Sequence, residues 1–413
     1  MRLRFYNILL MLVLLMQVAW AQEIDFINEG ANRIILNGDD WSDLRSSLNN
    51  PKSWTSGKWQ VVQVGDSHIQ PDIMTAQVRW KLQDKWGNGG RGLIAALNLA
   101  KTNEPRDYYL KSSQPVKASS RLLSSTWSTE IGLTGVAVRW DSAFTQLSIK
   151  AKEDGDQFSS VTLLHAPHGG YETAMVNEEV LFAKELSAWA SRVDLPNTTD
   201  TVTMGVPCKS DFYGAIITNS SRGVMVHSIG NNGATYSTYL KVPDFAEQMR
   251  ILDPRLIIIS LGTNETVGNL TGVEDQIHRL VTNLRKAMPK AHILLTTPMD
   301  WHKRVTNRVA QQVKVSGGKK RRKARYKTVY KTTTSYVSNA NVPRMREMIL
   351  RYGSQHKVAV WDLYTVAGGA GACSKWVSAG LMNPNDHLHQ LEAGYELQGM
   401  LLGDALLKAL SGK

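Results

Sequence analysis

The chain has 413 residues, 42% hydrophobic and 20% charged, a balance that suits a globular protein with a large core and excludes a disordered or fibrous one. Two cysteines, Cys208 and Cys373, are too few for a disulfide framework, and no Cys-Cys-His spacing suggests structural zinc. The formal net charge of +12 is local: twelve of the 48 basic residues lie between Lys303 and Lys331, a stretch without Asp or Glu, and the rest balance the 36 acidic residues. A basic protein surface is thereby excluded, and no nucleic-acid partner is expected.

The first residues, MRLRFYNILLMLVLLMQVAWAQ, read as a secretory signal peptide over 1–21, because Arg2 and Arg4 precede a short apolar run and Ala19-Trp20-Ala21 suits cleavage. No later apolar stretch reaches the length of a membrane span, so the mature chain is expected to be soluble and periplasmic or secreted. A strand is predicted at 60–64 (QVVQV) and a helix at 72–86. GNGGRG at 87–92 has the spacing of a dinucleotide-binding loop but follows a helix rather than a strand, so a flexible loop is expected instead. From about 106 to 220 the pattern changes to short alternating segments such as LTGVAVRW, FTQLSIKAKE, SVTLLHA and DTVTMGV, which predict an inserted antiparallel β-sandwich. Such a module either binds a glycan or buttresses the site, and the residues favour neither.

Beyond it come strands at 223–229, 256–261, 292–296 and 357–361, alternating with helices at 238–251, 273–288, 341–356 and 391–410. Continuous apolar strands alternating with helices predict an α/β fold whose parallel sheet is covered on both faces. The expected organisation is a hydrolase-type domain in two parts, 22–105 and 221–413, separated by the β-rich module of 106–220. The basic insert of 303–340 reads first as a solvated mobile loop, and secondarily as a contact for a polyanion such as wall or lipid phosphate.

Polar clusters follow the core strands. VVQVGDSHIQPD carries Ser67 past the first, GNNGA carries Gly233 past the second, and GTNE carries Asn264 past the third; Asn385-Asp386-His387-Leu388-His389 precedes the last helix. In a parallel sheet these positions gather at one edge. Acyl transfer needs a hydroxyl, a base and a carboxylate that orients the base, which Ser67, His389 and Asp386 supply. Backbone N–H groups at Ser67 and Gly233 and the Asn264 amide suit a developing oxyanion. Plainer readings stand beside these: Gly65-Asp66-Ser67 alone reads as an ordinary turn, Asn264 as a cap, and Gly233 as a positive-φ position. His387 and His389 also form an His-x-His pair of the kind that ligates metal, with His165 and His168 as further candidates.

The blocks GDSH, GNNGA, GTNE and DHLH stand in the order of the SGNH (GDSL-type) hydrolases. The longer stretches GVMVHSIGNNGATY, LIIISLGTNE and VWDLYTVAGGAGACSKWVSAGLMNPNDHLHQLEAGYELQG resemble the O-acetylpeptidoglycan esterase branch. The resemblance covers most of the chain outside 106–215 and 303–340. It implies a three-layer α/β/α, flavodoxin-like fold with a carbohydrate-binding-like β insertion. It further implies Ser67 as nucleophile and first oxyanion donor, Gly233 (with Gly230 as fallback) and Asn264 as the other donors, Asp386 as orienter and His389 as base. The activity implied is a cofactor-free serine esterase that removes O-acetyl groups from peptidoglycan, at muramoyl residues. Alternatives are an O-acetylesterase on another polysaccharide, an O-acetyltransferase using the same triad, and a non-catalytic cell-wall-binding protein.

Overall fold

The computed structural model describes residues 24–152, 156–167, 169, 171–208, 210–315 and 325–412. Residues 1–21, expected to be a signal peptide, and His168 lie outside these residues.

The central sheet has six strands in the order Ile34–Ile35, Ala359–Trp361, His292–Thr296, Pro254–Ser260, Lys58–Gly65, Gly223–Gly230. All pair in parallel except the short Ile34–Ile35, which runs antiparallel to Ala359–Trp361. Taken by chain position, the five parallel strands lie in the order 2-1-3-4-5, the flavodoxin-like arrangement, with its switch point between the first and third strands. The parallel strands are mostly apolar because both faces are covered. The buried Gln63 within Lys58–Gly65 is satisfied by donating to Ser260 Oγ at 3.0 Å and accepting from Thr75 Oγ1 at 2.8 Å. In Pro254–Ser260, Leu256 and Ile258 join the core that packs under the helices Ile73–Trp86 and Glu392–Ser411, while Ile257 and Ile259 face Val273–Ala287 and Asn341–His356. The result is the expected α/β/α fold.

One predicted helix, 238–251, is instead two short ones, Tyr236–Tyr239 and Phe245–Met249, followed by the turn Arg250–Leu252. Pro243 cannot donate a backbone hydrogen bond and Asp244 adopts a left-handed φ of 50°, so the helix breaks between them.

The inserted region is a sandwich. One sheet orders Lys184–Ser187, Ala190–Thr199, Phe158–His165, Phe212–Thr218, Val136–Trp140 and Val116–Arg121; the other orders Glu179–Phe182, Thr173–Val176, Thr201–Pro207, Phe144–Ala151 and Tyr108–Ser112. Their inner faces share a core that includes Leu110, Val138, Leu147, Ile149, Val161 and Phe212. Gly92–Ala95, which precedes the stretch expected to form the module, pairs antiparallel with Phe212–Thr218.

GNGGRG is therefore not a flexible loop. Gly92 has a φ of 86°, and a Cβ there would lie 2.7 Å from His227 Nδ1, so the backbone is packed where only glycine fits. Between its glycines, Arg91 is buried at 1% exposure and pairs with Asp72 and with Asp107 (Nε to Oδ2, 2.9 Å). Arg79 joins the same cluster through Asp72 at 2.7 Å. Four charges thus neutralise one another where the helix Ile73–Trp86 of the α/β part meets the start of the sandwich. Removing one partner of such a buried set leaves an uncompensated charge.

The basic insert is also more regular than the expected loop. His302–Val315 and Arg325–Ser338 pair antiparallel along their full lengths, from His302↔Ser338 to Val315↔Arg325. Thr, Val and Tyr, residues that favour a pleated strand, are interleaved among its charges. Residues 316–324, with five of the basic side chains, lie outside the described residues. Among the described residues no helix is long and apolar enough to cross a membrane.

His292, at the start of its strand, bonds Asp39 Oδ1 at 2.9 Å and Asp43 Oδ1 at 2.8 Å, fastening the N-terminal segment to the sheet. Burial pulls the imidazole pKa down. The hydrogen bond to Asp39 and the charges of Asp39 and Asp43 outweigh it and leave the pKa above its ordinary 6.5. A raised folded-state pKa makes this contribution complete below pH 6.5 and lost as pH climbs through the folded value. The thermal midpoint of the wild type, measured relative to His292→Gln, is expected to fall as pH rises from about 6 to 8. Parallel curves for the two proteins would show that the pair does not titrate on unfolding.

Candidate active site

The turn after Lys58–Gly65 is closed by the Ile69 and Gln70 amides donating to the Asp66 carbonyl at 3.1 and 3.0 Å. It presents Ser67 half-buried at the sheet's switch point, beside the strand Pro254–Ser260 that leads to Asn264. The loop carrying Asp386 and His389 is closed at its base: the Asn383 amide donates to the His389 carbonyl at 2.8 Å, and that of Leu391 to Leu381 at 2.8 Å.

These two segments meet. Ser67 Oγ lies 3.0 Å from His389 Nε2, and His389 Nδ1 lies 2.9 Å from Asp386 Oδ2. An ionised Asp386 accepts from Nδ1–H, which leaves Nε2 as the acceptor for the Ser67 hydroxyl proton. Asp386 is itself fixed, since its Oδ1 accepts from the amides of Leu388 and His389, each at 3.0 Å. Burial acts to raise the Asp386 pKa, but the His389 side chain and these amides outweigh it and hold the carboxyl below its ordinary value. Asp386 and His389 keep 36% and 39% side-chain exposure, so the relay sits on an open rim that a large substrate can reach.

The candidate oxyanion donors are arranged around Ser67. Gly233 adopts a φ of 77° in the loop beyond Gly223–Gly230, and its N–H finds no acceptor among the described residues; the Ser67 N–H is likewise unengaged there. Gly230 is different. It ends the strand, and a Cβ there would lie 2.1 Å from the Gln70 nitrogen, so its lack of a side chain serves close packing. The Asn264 amide donates to Asp66 Oδ2 at 3.2 Å and to the Ala234 carbonyl at 3.0 Å. Both of its hydrogens are engaged, and a substrate oxygen would have to share one of them.

Several contributors were not read from the sequence. Asp66, 1% exposed, takes the His68 amide at 2.9 Å on its other oxygen and so aims Asn264. Burial pushes the Asp66 carboxyl up to about 7, against the His68 hydrogen bond and the charge of His389. Glu265 is also pushed up to about 7, by burial above all, while it accepts from the Tyr236 amide at 2.8 Å. Gln70 accepts from the Asn232 amide at 2.7 Å and donates to Thr102 Oγ1 at 3.0 Å, fixing the GNNGA loop. His68 lies behind His389, ring centroids 5.4 Å apart, with Nδ1 3.1 Å from the Tyr395 hydroxyl. Asp66 and Gln70 stand within VVQVGDSHIQPD, but nothing in their spacing distinguishes them from turn residues.

Asn231, buried in the same loop, donates to the Thr134 carbonyl at 3.1 Å and to the Tyr239 hydroxyl at 3.1 Å, tying the sandwich to the site. A hollow of about 170 Å³, bordered by Gln70, Arg121, Leu123 and Asn232, opens at this seam. The His-x-His pair is split: His389 turns to Ser67, whereas His387 turns to His302 and Cys373. His165 is remote from both, held by Ser191 and Ala166. Cys208 and Cys373 are both free thiols.

A doubly covered parallel sheet with hydroxyl, imidazole and carboxylate in relay at its switch point defines the class, a carboxylic ester hydrolase of the α/β/α type. The chain belongs to the GDSL-like lipase/acylhydrolase family, whose model matches residues 187–402. That match spans GNNGA, GTNE and DHLH and does not include Ser67. A solved peptidoglycan O-acetylesterase is similar along nearly the whole chain, with 20% identity over 92% of this chain and 99% of its own and a TM-score of 0.70. A lipase/acylhydrolase from Enterococcus faecalis shares 19% identity over 45% of this chain and 76% of its own, with a TM-score of 0.29. An acetyl-xylooligosaccharide esterase from Geobacillus stearothermophilus shares 16% over 46% and 73%, also with a TM-score of 0.29. No curated protein matches the chain.

Proposed function

We propose that the protein is a serine O-acetylesterase of the bacterial envelope that acts on O-acetylated peptidoglycan. The observation that carries the reading is the unbroken relay from Ser67 through His389 to Asp386, at 3.0 and 2.9 Å. Ser67 Oγ attacks the acetyl carbonyl while His389 Nε2 takes the hydroxyl proton. The tetrahedral oxyanion is met by the amides of Ser67 and Gly233 and by the Asn264 side chain. The intermediate collapses with loss of the sugar oxygen, which receives the proton from His389. Water, deprotonated by His389, then attacks the acetyl-enzyme and releases acetate.

The choice of peptidoglycan is supported by the resemblance of the motif blocks and by the full-length likeness, sandwich included, to a solved peptidoglycan O-acetylesterase. The open rim of the relay and the hollow at the sandwich seam, bordered by Gln70, Arg121 and Asn232, suit a polymer better than a small buried ester. Export through the 1–21 segment puts enzyme and wall in the same compartment. The test is acetate release from O-acetylated peptidoglycan against acetylated xylan. Faster release from peptidoglycan is expected, and equal or faster release from xylan would reject the substrate.

Asn264→Ala is expected to lower kcat by about 10²–10³-fold, the usual cost of one oxyanion donor, with KM little changed. A loss confined to KM would instead make Asn264 a ground-state binding residue. The basic ribbon is assigned to contact with wall polyanions. On one face it carries Arg304, Arg308 and Lys314 with Tyr326, Tyr330 and Tyr336, and the Arg308 guanidinium lies over the Tyr330 ring at 5.2 Å. Deleting 310–327 leaves the ribbon's root intact. The variant is expected to keep turnover of p-nitrophenyl acetate and to sediment less with insoluble wall at low salt. Sedimentation unaltered by both the deletion and salt would remove the assignment.

A further inference from the structure

We propose that His302, Cys373 and His387 form a binding site for a borderline divalent cation of the zinc type, set between the loop that carries the relay and the root of the basic ribbon. Cys373 Sγ, one nitrogen of His302 and one of His387 all lie within 4.8 Å of one another, and Cys373 Sγ is 3.8 Å from His387 Nδ1. Tetrahedral zinc, with Zn–S about 2.3 Å and Zn–N about 2.0–2.1 Å, separates sulfur from nitrogen by about 3.5 Å. The observed spacing needs only a few tenths of an ångström of closure at that pair. One thiolate with two imidazoles is a donor set that suits zinc, while calcium and magnesium prefer oxygen.

The three residues come from separate parts of the chain: the first residue of the ribbon, the helix Ala372–Ser378, and the loop between Asn383 and His389. Their surroundings hold the side chains in place. His387 has a left-handed φ of 54°, uncommon for a residue with a side chain. Its ring is stacked on Tyr336 with centroids 3.7 Å apart and planes 7° from parallel. The His302 amide donates to the His387 carbonyl at 3.1 Å, which brings the two imidazoles to a centroid distance of 5.9 Å. Asp300, 2% exposed, lies 3.9 Å from His302 Nε2 and accepts from the Cys373 amide at 3.2 Å. At 3.9 Å the Asp300 carboxylate acts on His302 by its charge rather than by a hydrogen bond, and its negative field favours a bound cation. Cys373 is fully buried, with Met382 Sδ 3.5 Å from its sulfur, whereas both imidazoles remain partly open to solvent and give the ion a way in.

Neither His387 nor Cys373 takes part in the acyl relay, so the bound ion would brace the loop that holds Asp386 and His389 without touching the ester. The experiment uses the full chain, stripped with a chelator and titrated with Co²⁺. One cobalt per chain is expected, with sulfur-to-metal charge-transfer bands in the near ultraviolet, tetrahedral d–d bands in the visible, and displacement by Zn²⁺ at a Kd below about 1 μM. His302→Ala, at the half-buried rim, is expected to weaken binding at least tenfold (~10×) and to keep the fold. Cys373→Ala is expected to abolish the charge-transfer bands, and Cys208→Ala to leave them unchanged. Absence of the bands from the wild type would overturn the proposal. Bands that persist in His302→Ala at undiminished affinity, or that disappear in Cys208→Ala, would do the same.

Discussion

Ser67→Ala is expected to lower acetate release from O-acetylated peptidoglycan by about 10⁶-fold, the scale on which a serine relay fails when its nucleophile is removed. The substitution deletes one oxygen from a half-buried turn whose backbone bonds, from Ile69 and Gln70 to the Asp66 carbonyl, do not involve the hydroxyl. The fold and the affinity for wall are therefore expected to survive. Turnover of p-nitrophenyl acetate should fall in parallel, and a fluorophosphonate probe should label the wild type once and the variant not at all. A loss of less than about tenfold, with labelling retained, would place the nucleophile elsewhere and favour a chain that only binds wall.

Asp386→Asn tests the other end of the relay and should cost about 10⁴-fold in kcat. An amide in place of the carboxylate presents either a donor or an uncharged acceptor to His389 Nδ1. Where it donates, the proton is driven to Nε2, the atom that must take the one on Ser67. The imidazolium formed during attack also loses the negative charge 2.9 Å away. The protein should stay folded, because the Leu388 and His389 amides can still bond the remaining side-chain oxygen. Activity within about tenfold of wild type would mean that His389 is oriented by something other than Asp386.

Much of the fold can be read directly. LIIISL becomes Pro254–Ser260 and KVAVW becomes Ala359–Trp361 because uninterrupted apolar strands demand cover on both faces. Strand order is not legible locally: nothing in QVVQV says that it lies between Gly223–Gly230 and Pro254–Ser260. The polar clusters after the strands are legible as chemistry, since each falls where a parallel sheet gathers ligands, and the structure brings Ser67, Asp386 and His389 within hydrogen-bonding distance.

What escapes is partnership over long separations. Arg91 looks like an incidental residue among glycines until Asp72 and Asp107 close around it. His387 looks like half of a pair with His389 until the positive φ turns it towards Cys373. The ribbon escapes because its charge masks its strand formers: Tyr326, Thr328 and Tyr330 share one face and alternate with Lys327, Val329 and Lys331 on the other. Gly92–Ala95 escapes for a related reason: four small and apolar residues carry no sign of the sheet they will join.

That last pairing bears on how the catalytic sheet can assemble at all. Lys58–Gly65 is a central strand, yet its neighbour Gly223–Gly230 lies on the far side of the entire sandwich. Were residues 66–222 an open coil, closing that ring would carry a loop-entropy penalty, which grows logarithmically with the number of free links. Because Gly92–Ala95 and Phe212–Thr218 lie side by side, a sandwich that has already folded delivers its outgoing chain next to its incoming one. The sheet then meets the insertion as a short, stiff bridge, and a segment longer than many whole domains can interrupt it between adjacent strands at little topological cost.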